Sequence, residues 1–295
     1  MLTYNQHLRP TMTLIKLFRV FAESDEFKYV PTRHEEKQEL AKLFEKVPIP
    51  VKESVGDPSA KINVLLQAYI SRLPLEGFTL MADMVYVTQS AGRILRALFE
   101  ISLKRGWARL THQALDLCKM VEKKMWVSMT PLWQFPSCSV DIICRAKRKD
   151  FPWYRFFDLE PPELGELMGN PKLGKTIHRF VHQFPKLELQ ALVHPITQTM
   201  LRVDLTITPD FMLDESVHGT AQIFWIMVED VDGELILFSD QFLQRYANYF
   251  VTFYVPMIDP LPLNYFISVV ADRWLHAGTC LPLLFKHLIL PEKFS

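Results

Sequence analysis

The chain of 295 residues is too long for one small domain and suits two or three compact ones. Its 49% hydrophobic and 22% charged residues are ordinary globular values, which exclude a disordered or collagen-like chain. Lys plus Arg and Asp plus Glu both number 33, so the formal net charge of +0 sets up no global field for nucleic acid or membrane, and any such contact must be local.

The first half reads as helices. Leu14 to Ala22 places Leu14, Leu17, Phe18 and Phe21 on one face, and Arg33 to Val47 does the same with Leu40, Leu43, Phe44 and Val47. Pro48, Pro50 and Gly56 to Pro58 interrupt the period. It resumes over Ala60 to Leu73 with Ile62, Leu65, Leu66, Tyr69 and Ile70. The longest helix is expected over about Thr79 to Arg105, stopped by Gly106 at the C′ position, and another over about Thr111 to Trp126. Together these predict a helical bundle over residues 1–130.

Pro131 and Pro136 mark a boundary, after which Val140 to Lys149 gives a short basic helix and Pro161-Pro162 opens a helix, turn and helix, making a small module over 131–184. At Pro185 the period changes to about two. Strands are expected at Leu187 to Val193, Leu201 to Thr208, Ile223 to Val228, Leu235 to Phe238, Phe250 to Val255, Tyr265 to Val270 and Leu281 to Leu288, with Asp232-Gly233 as a hairpin turn. This is the pattern of an immunoglobulin-like β sandwich over 185–295, with its own alternating core and expected to fold alone. The fold class is therefore multidomain α plus β.

Gly169 to Thr176 reads G-N-P-K-L-G-K-T, a full match to the phosphate-binding P-loop. A P-loop needs a buried strand leading into its glycine turn, whereas Pro161-Pro162 with Leu164, Leu167 and Met168 at helical spacing predicts a helix there. No alternating βαβ core follows, so the match is read as coincidence. Lys172, Gly174 and Lys175 still stand as candidate phosphate contacts through N–H groups and charge.

Cys118, Cys138, Cys144 and Cys280 form no C-x-x-C pair and are expected as buried free thiols. His178 and His182 lie one turn apart but have no third ligand nearby in sequence, so no metal is expected. The other histidines form no catalytic constellation. No apolar run approaches the roughly 20 residues that cross a bilayer. Met1 to Met12 lacks the apolar stretch of a signal peptide, so a soluble intracellular chain without membrane partners is expected.

On a wheel at about 100° per residue, the long helix separates a packing side of Met84, Thr88, Ala91, Leu95, Leu98 and Phe99 from a stripe of Asp83, Tyr86, Gln89, Ser90, Arg93, Ala97, Glu100 and Lys104. That stripe is either a solvated outer face or a strand-binding one. In the latter, Arg93 supplies a charged or stacking contact, Tyr86 a base platform and Ser90 a small donor.

The strings Val47-Pro-Ile-Pro-Val-Lys-Glu53, Ala60-Lys-Ile-Asn-Val-Leu-Leu-Gln67, Ala82-Asp-Met-Val-Tyr-Val-Thr-Gln-Ser-Ala-Gly-Arg93 and Lys172-Leu-Gly-Lys-Thr-Ile-His178 resemble the Sec-sixty-three homology unit of the large U-five snRNP class of spliceosomal RNA helicases. His218-Gly219, Val228-Glu-Asp230 and Leu288-Ile-Leu-Pro-Glu-Lys293 extend the likeness over essentially the whole chain, and it favours the N-terminal, active cassette over the C-terminal pseudo-helicase cassette. The connection near Gln244 to Asn248 is shorter than the resemblance implies.

The resemblance implies a bundle, a helix-loop-helix module and an immunoglobulin or fibronectin-like sandwich. It also implies a long ratchet helix that contacts a threaded small nuclear RNA strand through Ser90 and Arg93, with Asp83, Tyr86 and Gln89 as neighbours. It implies a non-catalytic RNA-guiding and regulatory unit, nuclear, working with the parent's motor domains and other spliceosomal proteins. ATP and magnesium belong to motor domains that this chain lacks, since it carries no DExH box. The alternative is a protein–protein interaction scaffold without direct RNA contact.

Overall fold

The computed structural model describes residues 8–245, 247–286 and 288. Its backbone divides into two compact units, Met1–Val127 and Ser128–Ser295.

The first unit is built from helices α1 (Leu14–Ala22), α2 (Lys37–Lys46), α3 (Pro58–Ile70), α4 (Phe78–Lys104) and α5 (Ala108–Lys123). α3 lies at its centre. Asp57 caps it by accepting from the Ser59 amide at 2.8 Å, Pro58 fits its first turn, and every residue from Ala60 to Ala68 is buried. A helix buried all round shows little one-sidedness, so its expected apolar face was only part of what it hides. The polar members of that run are all paired. Gln67 accepts from the Ile49 amide and donates to the Ile49 carbonyl at 2.9 and 3.0 Å, which ties the Val47–Pro50 connection down by side chain alone. α4 runs 27 residues, about 40 Å at the usual rise per residue. It ends as expected at Gly106, where the Gly106 amide donates to Leu103 and the Trp107 amide to Ser102, a Schellman closure.

The second unit opens with α6 (Val140–Lys149), α7 (Pro161–Leu167) and α8 (Gly174–Gln183), followed by strands β1 (Leu187–Pro195), β2 (Met200–Pro209), β3 (Gln222–Glu229), β4 (Ile236–Gln244), β5 (Tyr249–Pro256), β6 (Asn264–Ala271) and β7 (Gly278–Leu284), with a one-turn helix α9 (Glu215–His218) between β2 and β3. Each expected strand is present, though β4 runs on to Gln244, well past the expected Phe238, and β7 begins at Gly278, before the expected Leu281, and ends at Leu284. They form two antiparallel sheets, β1-β2-β5 and β4-β3-β6-β7, whose inner faces carry Leu201, Val203, Leu205, Ile207, Ile226, Val228, Ile267 and Val269. Strict alternation along β2 and β6 produces this, as a sandwich requires. Tyr265, fully buried at the start of β6, donates its hydroxyl to the Pro256 carbonyl at 3.1 Å and accepts from the Ile258 amide at 2.9 Å. This is the tyrosine corner that pins the β5–β6 connection in immunoglobulin-like folds.

The helical module and the sheets share one core. Phe135 packs at a tilt against Phe180 and Trp274 with centroids 5.0 and 5.1 Å apart, and Phe184 meets Trp274 edge-on at 5.8 Å. The Gln134 amide pairs with both backbone groups of Leu275, at 3.0 and 2.7 Å. Pro185 therefore marks a change of period rather than a gap in packing. Of the string Leu288 to Lys293 only Leu288 is described, and in the Gln244–Asn248 connection Tyr246 lies outside the described residues.

Separating 131–184 from the sheets uncovers Trp274, Phe184 and the Gln134 pairing. A protein of residues 185–295 is therefore expected to unfold without a cooperative transition, whereas 128–295 melts in one step. Differential scanning calorimetry of the two distinguishes this from sheets that fold alone.

Candidate functional site

Three elements meet at the N-terminal half of α4: the segment from Ser24 to Glu36, α3, and α4 itself. The Lys61 side chain is completely buried and its ammonium finds three acceptors: Glu36 Oε2 at 2.7 Å, Asp83 Oδ2 at 2.6 Å and the Pro31 carbonyl at 2.8 Å. Arg33 completes the cluster with contacts of 2.5 Å to Glu36 and 2.8 Å to Asp83. Two cations and two carboxylates leave no net charge, the condition under which such a group survives burial. Burial pushes the Glu36 carboxyl up, but hydrogen bonds from Lys61 and Arg33 outweigh it and hold the group at about 2; hydrogen bonds to Asp83 and Glu36 push the Arg33 guanidinium up.

One turn further along, Glu26 gathers three residues of α4. Its backbone carbonyl accepts from the Tyr86 hydroxyl at 3.0 Å, Oε1 accepts from Ser90 Oγ at 3.2 Å, and Oε2 meets Arg93 Nη2 at 2.9 Å. The Glu26 carboxyl is held below its usual range, chiefly by the Arg93 hydrogen bond, with Ser90 adding to it. A short 3-10 turn, Asp25–Phe27, presents this carboxylate; Ser24 caps the turn and the buried Phe27 packs edge-on against Tyr86.

The polar stripe therefore faces the chain's own Ser24–Glu36 segment over much of its length. Asp83 is in the ion cluster, Ser90 is only 8% exposed, and Tyr86 and Arg93 are exposed but tied to Glu26. Gln89 alone of the five expected RNA contacts is exposed with no described tie to that segment. The expected packing side is likewise rotated. Met84 and Thr88 are half-buried, while Val87 and Ile94, absent from that expectation, are buried. The outward face instead runs through Phe78, Met81, Val85, Gln89 and Gly92, at spacings of three and four, with Arg93 beside Gly92, and is apolar at its start. A side chain added at Gly92 would meet open space, so the helix backbone is bare there.

The P-loop match is accounted for glycine by glycine. Gly169, at φ 65°, closes α7 in a Schellman motif, its amide donating to Glu166 and that of Asn170 to Gly165. Gly174 is where α8 approaches α7 so closely that an added Cβ would lie 1.9 Å from the Pro161 carbonyl oxygen. Two of the N–H groups proposed for phosphate are already engaged: Gly174 donates to the Pro171 carbonyl and Lys172 to the Asn170 side chain. Only the side-chain charges of Lys172 and Lys175 face solvent.

Cys118 is buried and Cys138 half-buried, but Cys144 and Cys280 are exposed, so the expectation of buried thiols holds fully for Cys118 alone; the two exposed ones occur at outward positions of regular elements. The His178 and His182 rings sit 4.2 Å apart, and burial followed by the neighbouring His178 lowers the His182 pKa. Among the described residues no group of three metal-ligating side chains exists, and no helix is long and apolar enough to cross a membrane.

The family described as Sec63 Brl domain matches residues 1–283. The chain is 60% identical over 99% of its length to the U5 small nuclear ribonucleoprotein 200 kDa helicase of Homo sapiens. It is 57% identical over 99% to the DExH-box ATP-dependent RNA helicase DExH12 of Arabidopsis thaliana, and 55% identical over its full length to the pre-mRNA-splicing factor brr2 of Schizosaccharomyces pombe. In each case it covers 14% of the relative's length.

The Glu36 shift fixes a pH response. A carboxyl held at about 2 when folded and near 4.3 when unfolded stabilises the fold fully above the unfolded value, and that contribution is lost as pH falls through the folded one. The melting temperature of the first unit is expected to drop between about pH 4.5 and 2. Lys61→Met, which leaves the buried Glu36 and the part-buried Asp83 facing one arginine, is expected to cost about 3–5 kcal/mol at pH 7, measured by denaturant unfolding. Titration of Mg-ATP into the second unit is expected to give no saturable heat, with Lys175→Ala indistinguishable from the unchanged chain.

Proposed function

The chain belongs to the Sec63 Brl domain family, and from that membership we propose that it is the non-catalytic RNA-guiding and regulatory unit of a nuclear, ATP-dependent spliceosomal RNA helicase. ATP hydrolysis, with its magnesium, lies in motor domains outside this unit, which it braces. The observation that carries the reading is α4: a single long helix, fixed along one side by the Lys61 cluster and Glu26, that turns Gln89, the bare backbone at Gly92 and the Arg93 guanidinium outward together. A small nuclear RNA strand drawn along this face would meet a cation, an amide and a place of close approach within one turn, the mixture that tracks a single-stranded backbone without reading its sequence. Ser90, Tyr86 and Asp83 serve it indirectly, by holding the helix and Arg93 in place. In the second unit Lys172 and Lys175 add charge for a phosphate but no amide cradle.

One feature favours the scaffold reading, in which other spliceosomal proteins dock here and RNA does not. The outer face of the β1-β2-β5 sheet exposes Leu192, Phe250 and Tyr254 around the Asp204–Thr252 pair, a mix of apolar and aromatic groups suited to a protein interface.

Three variants in a full-length helicase carrying this unit separate the readings. Arg93→Leu is expected to slow RNA unwinding several-fold with little change in melting temperature, one lost stacked or charged contact being worth on the order of 1–3 kcal/mol. Ser90→Leu places a larger apolar side chain in a buried position against Glu26, so activity and melting temperature are expected to fall together. Leu95→Ala, deep in the bundle, is expected to cost about 2–5 kcal/mol of stability. Normal unwinding by Arg93→Leu leaves the scaffold reading in its place.

A further inference from the structure

We infer that Glu26 is an internal competitor for the RNA-facing guanidinium: its carboxylate occupies Arg93 in the absence of a strand and sets how tightly α4 holds a phosphate. This rests on the reading of α4 as an RNA-guiding helix and adds to it the regulation of the same site.

Glu26 is offered to α4 by a turn with its own anchors, the Ser24 cap and the buried Phe27, so its carboxylate is placed rather than loosely swinging. Both carboxylate oxygens are used, Oε1 by Ser90 and Oε2 by Arg93, which orients the group toward the guanidinium. The guanidinium side of the pair is largely in solvent, with Arg93 68% and Glu26 32% exposed. An ion pair in such a setting is weak and readily exchanged. A carboxylate and a phosphate oxygen recognise the same N–H edge of arginine, so a strand arriving at Arg93 must either displace Glu26 or sit beside a like charge. Either route subtracts from RNA affinity. The Lys61 cluster one turn away on α4 is internally neutral and does not offset Glu26.

A cationic contact discounted in this way suits a helix along which RNA must move, since a full-strength arginine–phosphate bond would hold the strand at one register. The charge of the stripe is thereby set by a residue some sixty positions away in sequence, Ser90 and Glu26 being 64 apart.

The test is a double-mutant cycle on binding of a fluorescein-labelled single-stranded RNA to a full-length helicase carrying this unit, titrated over a range of salt. Glu26→Gln retains the size and a hydrogen-bond acceptor for Ser90 while removing the charge. It is expected to tighten binding about three- to tenfold at low salt and to steepen the dependence of log affinity on log salt by about 0.7, the increment for one further phosphate neutralised on a single strand. In an Arg93→Leu background the same substitution is expected to change neither quantity, because Glu26 acts through Arg93. Binding by Glu26→Gln that is unchanged or weaker, at an unaltered melting temperature, overturns the competitor role while leaving the RNA reading intact. A tightening that persists in the Arg93→Leu background overturns it equally, assigning the effect to general charge. If Arg93→Leu alone binds RNA as the unchanged protein does, the RNA-guiding reading of α4 fails and the competitor role fails with it. Circular dichroism melts of all four proteins register any loss of the Ser24–Phe27 turn, which a merely structural Glu26 would produce without the salt response.

Discussion

A lysine with no exposed surface governs the first unit. Moving an ammonium out of water costs several kcal/mol, and the chain recovers this only by bringing three acceptors to the three protons of Lys61. Those acceptors come from the Pro31 carbonyl, from Glu36 just before α2, and from Asp83 on α4. Satisfying one side chain thus fixes the positions of three elements. Rotating α4 by one residue would carry Asp83 away from Lys61 and leave a buried charge short of a partner, a larger penalty than exposing one more apolar side chain. The helix accordingly leaves Phe78, Met81 and Val85 in solvent. Its outward face is what remains after the ion cluster has been served.

The same bookkeeping determines the electrostatics of that face. Three cations beside it, Arg33, Lys61 and Arg93, are each matched by a carboxylate from Glu36, Asp83 or Glu26. A chain with 33 basic and 33 acidic residues could have segregated them into a basic groove; here they are interleaved around α4. Long-range attraction of a polyanion is therefore weak, and contact depends on local exchange of partners at short distance. Such interleaving suits a high-affinity polyanion trap poorly.

Much of the architecture was legible because it rests on local periods. A period near two together with β-branched and aromatic runs marked the seven strands, and Pro161-Pro162 ahead of Leu164 and Leu167 distinguished a helix hairpin from a nucleotide-binding loop despite a complete motif. The phase of α4 was not legible, since a wheel sorts residues by polarity and assumes that polar means outward. Asp83, Tyr86 and Ser90 break that assumption because their partners, Lys61, Arg33 and Glu26, lie 22 to 64 residues away. One signal did point to them: Lys61, Asn63 and Gln67 sit inside an otherwise apolar central helix, and polar groups buried together require distant partners. The sharing of one core by the helical module and the sheets was hidden for a related reason, as Trp274 and Phe135 belong to different periods and meet only in space.

The helix hairpin of the second unit shows how packing limits what a sequence motif can do. A phosphate cradle requires backbone amides free to converge on an anion, which in turn requires a loop standing clear of its neighbours. In this hairpin α8 is pressed so tightly onto the start of α7 that only glycine fits at position 174, and the intervening turn spends the Lys172 and Gly174 amides on Asn170 and Pro171. The closeness that makes the hairpin rigid consumes the groups that would have made it a nucleotide site. What it can still present is charge, from Lys172 and Lys175, on a turn that cannot adapt its backbone to a ligand. Such a contact positions a strand through its phosphates and is blind to base and to nucleotide alike.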